Sequence, residues 1–126
     1  MREPIRDKGR LEHIAQAIEH VLDYMAGKSF DELSENKIGY YGIIKCIEIV
    51  GEASYKLLLQ FKTAHPETPW NVIEKMRHVL VHGYYQVNPE DIQSVIKYDL
   101  DPLREQVNRY LAETDWDEWE KKTNNP

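Results

Sequence analysis

Apolar residues return at steps of three and four along most of the chain, and no stretch alternates convincingly with a period of two. Leu11, Ile14, Ala15, Ile18, Val21, Leu22 and Met25 draw one stripe on a helix predicted over residues 6–26, which Gly27 ends. Ser29 and Glu32 have the spacing of a capping box and start a short second helix that runs to about residue 36. From residue 37 to about residue 64, Tyr40, Ile43, Ile47, Val50, Ser54, Leu57 and Phe61 form one stripe, while Ile44, Ile49, Ala53 and Leu58 occupy other faces. A helix that is apolar on more than one side belongs at the centre of a bundle or against a second subunit.

The segment HPETPW breaks this helix: Pro66 and Pro69 bracket a turn, with Thr68 as N-cap and Pro69 at the first helical position of a fourth helix. That helix turns Ile73, Met76 and Leu80 inward and stops near Gly83. Asn88 and Pro89 give a fifth start signal, followed by the stripe Ile92, Val95, Ile96 and Leu100. Pro102 predicts a kink or a restart before Leu103, Val107 and Tyr110. The pattern assigns an all-α fold, an antiparallel bundle of four to six helices over residues 1–112. Residues 113–126 read as an acidic tail that frays, with Trp116 and Trp119 as its only apolar anchors.

Composition narrows the function classes. The 126 residues suffice for one core, and 41% hydrophobic with 30% charged residues is ordinary globular usage. No apolar run approaches the roughly 20 residues of a membrane span, and no apolar segment follows the charged start MREPIRDKGR. The chain is therefore read as cytoplasmic, without a membrane partner. One cysteine, Cys46, makes no intrachain disulfide and falls within an apolar helical pattern, as a structural thiol would. A net charge of −6 repels a phosphate backbone at long range, so any contact with nucleic acid has to come from a local basic patch.

The densest chemistry is RHVLVHGYY, residues 77–85. On a wheel of about 100° per residue, Arg77 lies on the flank of the Ile73, Met76 and Leu80 stripe, and His78 and His82 stack on the face turned away from it. Arg77 and His82 point about 140° apart on an ideal helix. Either the last turn opens at Gly83, or a second copy of the chain supplies the missing partner. Two histidines four apart also suit a metal, but neither an HExxH pattern nor a third ligand accompanies them. His13, His20 and His65 fall at polar or turn positions and are read as solvated.

The order R-x4-H-x-Y, written by Arg77, His82 and Tyr84 with His78 directly after the arginine, resembles the signature of the HEPN superfamily. More narrowly the chain resembles its HepT-like group, over about the first 110 residues: RDKGRLEHIAQAIEHV, IVGEAS in the long helix, the HPETPW turn and MRHVLVHGYY. The resemblance implies a homodimeric ribonuclease that needs no cofactor and acts as the toxin of a toxin–antitoxin pair. It also implies a minimal nucleotidyltransferase as antitoxin, which silences the nuclease by adding AMP to Tyr84. Carried over by position, Arg77 and His82 are catalytic and His78 supports them. The alternative is a catalytically silent HEPN dimer that binds nucleotide or RNA, or serves as the substrate platform of the nucleotidyltransferase.

The residue types suit the implied chemistry. RNA cleavage without a metal needs a base for the 2′-hydroxyl proton, an acid for the leaving 5′-oxygen and a cation for the charge on the phosphoryl oxygens. Histidine titrates near neutrality, and arginine binds phosphate through a fixed fork. One motif histidine per chain is too few for a base and an acid together. A twofold dimer that apposes two motifs across its seam supplies the second, and makes the basic patch that the overall charge denies.

Overall fold

In the computed structural model, which describes residues 6–78 and 88–123, the first stripe becomes α1, Asp7–Met25, with Leu11, Ile14, Ala17, Ile18 and Val21 buried. Gly27 follows at φ +75°, a left-handed conformation that costs glycine little, and turns the chain toward α2, Phe30–Glu35. Ser29 Oγ accepts from the Glu32 amide at 3.2 Å, so the expected cap forms. Asn36 caps α3, Lys37–Lys56, by accepting from the Gly39 amide at 3.1 Å.

The long third helix differs from the sequence expectation. It stops at Lys56, Leu57 and Leu58 are extended, and a separate α4, Leu59–Ala64, carries Phe61. A buried carboxylate accounts for the break: Asp7 Oδ1 accepts from the Leu58 amide at 3.0 Å, which takes that donor out of the helical ladder. The other Asp7 oxygen accepts from Trp119 Nε1 at 2.9 Å. One side chain thus ties together the start of α1, the α3–α4 joint and the C-terminal segment.

That segment is ordered, against the expectation of a frayed tail. Residues Trp116–Thr123 form α8, whose indoles pack on Phe61, Trp116 stacked at 6.1 Å and Trp119 edge-on at 5.5 Å between ring centroids. Phe61 is fully buried and also meets Trp70 and Tyr110 edge-on. Periodicity pointed to a polar tail because the two anchors are only three residues apart on a short helix. Substituting Asp7 by alanine is expected to strand the Leu58 amide and the Trp119 indole. The cost is about 2 kcal/mol, a fall in melting temperature of roughly 5–10 °C by calorimetry.

The HPETPW turn also departs in detail. Thr68 is buried and its hydroxyl turns inward to Gln106 and Tyr110, so Pro69 occupies the N-cap of α5, Trp70–Glu74, with no side-chain cap. Tyr110 in turn donates to Glu67 at 2.8 Å. Burial raises the Tyr110 pKa, while the Glu67 carboxylate is held below its usual range by its own backbone amide and then by the Tyr110 hydroxyl. His65, expected in solvent, lies between Phe61 and Tyr110 at centroid distances of 4.4 and 4.2 Å.

Asn88 caps α6, Pro89–Ser94, by accepting from the Glu90 amide at 2.9 Å, as the sequence predicts. The proline break appears as a π turn over Val95–Asp99 that leads without interruption into α7, Leu100–Glu113. Pro102 has no amide to give the carbonyl four residues before it, and the widened turn accommodates that loss. Leu103, Val107 and Tyr110 continue the buried stripe. Helix α1 packs on both α3 and α7, while α5 and the turn after it lie against α3. No helix among the described residues is long and apolar enough to cross a membrane.

Candidate active site

Arg77 and His78 close a short 3-10 turn, Lys75–His78, that follows α5. Positions three apart eclipse in such a turn, which keeps Met76 buried above Ile73 and swings Arg77 toward α3. Arg77 is half-buried and His78 is exposed, so the histidine faces away from the core as the wheel expects. His82, Gly83, Tyr84 and Tyr85 lie outside the described residues, as does Leu80.

Two residues of α3 hold the turn. Gly51 is buried within α3, and a methyl group placed there would overlap the Arg77 amide nitrogen and lie 2.7 Å from the Met76 carbonyl carbon. The turn can therefore touch the helix backbone only because residue 51 has no side chain. One helical turn later Tyr55 presents its ring to the arginine: the guanidinium carbon stands 3.4 Å from the ring centroid. Stacking of this kind contributes about 0.5–1 kcal/mol at a half-exposed site. Among the described residues no carboxylate comes within ion-pair distance of Arg77.

The neighbouring charges are arranged differently. Lys62 pairs with Glu74 in a half-buried contact and donates to the Tyr55 carbonyl at 3.3 Å, which fixes α4 and α5 beside the arginine. Lys56 is taken up by Glu52 at 3.3 Å. Glu52, the acidic residue of IVGEAS, thus meets a lysine in its own helix. The arginine is left as a cation oriented by an aromatic face and neutralised by none of the described carboxylates.

Neither Gly51 nor Tyr55 stands out in the apolar pattern. A glycine inside a strong helical stripe costs about 1 kcal/mol relative to alanine and signals close packing. It does not name the backbone that approaches. Elsewhere, Cys46 is half-buried and burial raises its thiol pKa, as suits a packing residue. No group of three or more metal-ligating side chains gathers among the described residues.

A half-buried arginine held on a helix that carries IVGEAS can be set beside known proteins. Residues 14–110 match the profile of the Ribonuclease HepT-like family, a span that includes the Arg77 turn and its supports on α3. The chain belongs to the HepT-like ribonuclease family. Among its relatives is a probable ribonuclease HepT of Thermococcus cleftensis, 34% identical over 97 residues, which cover 77% of this chain and 88% of that one. A putative RNase of Caldanaerobacter subterraneus is 33% identical over 101 residues, 80% of this chain and 90% of the relative. No solved structure matches the chain at comparable significance. Within this HepT-like chain, α8 and the first turns of α1 lie outside the matched span, so the Asp7 to Trp119 bond joins two segments that the family profile does not cover.

Proposed function

We propose that the protein is a metal-independent endoribonuclease, working as a homodimer in which Arg77 and His82 of both subunits meet at the seam of two antiparallel bundles. The observation that carries the proposal is an Arg77 guanidinium that none of the described carboxylates neutralises, held in place by α3, inside the span that matches a ribonuclease family. A carboxylate partner would compete with a phosphodiester for the same fork; a ring face does not. Two His82 side chains would divide the work of base and acid, and His78 would support them. Exposed Tyr55, Leu58 and Leu59 leave apolar surface where α3 ends beside Arg77, which favours a second subunit there.

As the toxin of a toxin–antitoxin pair, such an enzyme needs a restraint. A minimal nucleotidyltransferase that adds AMP to Tyr84 would place a bulky anion beside the cleft and repel the RNA backbone. The test uses purified protein and RNA in EDTA. Cleavage is expected in EDTA, and coexpression with the cognate nucleotidyltransferase is expected to stop it while adding the mass of AMP to a peptide containing Tyr84. RNA left intact by protein unmodified at Tyr84 would favour the silent platform instead.

A further inference from the structure

We infer that Tyr55 is the positioning residue for Arg77, acting through the face of its ring. The inference rests on the proposed role of Arg77 as the phosphate-binding cation. Three features of the site lead to it. The guanidinium carbon stands over the ring at 3.4 Å from its centroid, close enough for the ring to fix the plane of the fork and not only its location. The backbone around Tyr55 is itself held, because Lys62 donates to its carbonyl and is anchored by Glu74. Gly51, one turn earlier on the same face of α3, sets the height at which the Arg77 backbone sits over the helix.

The choice of an aromatic partner has a chemical consequence. A guanidinium oriented by Asp or Glu gives up both its charge and its paired N–H donors to that carboxylate. Over a ring, the cation is drawn to the negative quadrupole of the face, while its N–H groups, which lie in the guanidinium plane, stay directed outward. Tyr55 is 48% exposed, so the contact lies at the surface, within reach of a phosphodiester. Lys62, 6.0 Å from the same ring, is neutralised by Glu74 and is poorly suited to replace the arginine. The phenolic hydroxyl plays no part in this role.

The test is a series at position 55 in the full-length protein: tyrosine, phenylalanine, and phenylalanines carrying one, two and three ring fluorines, with Tyr55→Leu and Arg77→Ala beside them. Fluorination drains the face of the ring at nearly constant shape, so the packing and fold are retained. Tyr55→Phe is expected to cleave RNA as the native protein does. The fluorinated rings are expected to lower kcat stepwise, and Tyr55→Leu to lower it about 10- to 100-fold, since small displacements of a catalytic group cost that much. KM should change about threefold at most. A flat kcat across the fluorinated series, with Arg77→Ala inactive, would overturn the inference and leave the role of Arg77 intact. Native cleavage by Arg77→Ala would instead overturn the reading on which it rests.

Discussion

Exchanging Arg77 for alanine is expected to slow RNA cleavage by about two to three orders of magnitude, the usual loss when one preorganised donor to a developing oxyanion is removed. The side chain is half-buried and stacked, so its removal exposes part of the Tyr55 ring without opening the core. Stability should fall by no more than about 1 kcal/mol, which separates a catalytic defect from a folding one. Arg77→Lys should recover little activity, because an ammonium carries the charge but not the planar fork that stacks and binds two oxygens. His82→Ala is expected to cost about two to four orders of magnitude through the loss of proton transfer. Initial rates on one RNA substrate, with melting curves of the same preparations, check all three.

Gly51→Ala should be the most damaging single methyl group in the described part of the protein. In an exposed helix the change would stabilise by about 1 kcal/mol, but at residue 51 the new carbon meets backbone atoms of Met76 and Arg77, which cannot rotate away. The turn has to lift off α3, at a cost of about 1–3 kcal/mol for the forced repacking. Lifting it by even an ångström moves the guanidinium off Tyr55, and misplacement on that scale lowers rates about 100-fold. Gly42→Ala is the matched comparison, because a methyl group there has no neighbour within 4 Å among the described residues of the chain. Thermal melting and cleavage rates should show Gly51→Ala losing both stability and activity, with Gly42→Ala at or above native stability. Equal behaviour of the two variants would mean that the α3 contact does not position the arginine.

Much of this architecture is legible in local periodicity. The stripe from Leu11 to Val21, the caps at Ser29 and Asn88 and the run Leu103, Val107, Tyr110 require only helical spacing and a side chain that satisfies free amides. What escaped depends on contacts distant in sequence. The α3–α4 break comes from Asp7, 51 residues before the amide it captures, and nothing in the stripe from Val50 to Phe61 announces it. Thr68 reads as a cap until Tyr110 and Gln106 are seen to claim its hydroxyl. Trp116 and Trp119 look like isolated residues of a polar tail because their partner, Phe61, is assigned to the last turn of one long helix. The candidate site divides in the same way: Arg77 and His78 are singled out by a motif within one segment, whereas Gly51 and Tyr55 come beside Arg77 only once α3 and the 3-10 turn are packed together.

The central claim is that two copies of the chain build one nuclease site, and subunit poisoning tests it directly. Native protein is denatured, mixed with an equal amount of His82→Ala protein and refolded, and the cleavage rate is compared with that of native protein refolded alone at the total protein mass of the mixture. A site that needs His82 from both subunits leaves only native pairs active, about a quarter of randomly assorted dimers. Retention of about half the activity would show that each chain works by itself and would contradict the account.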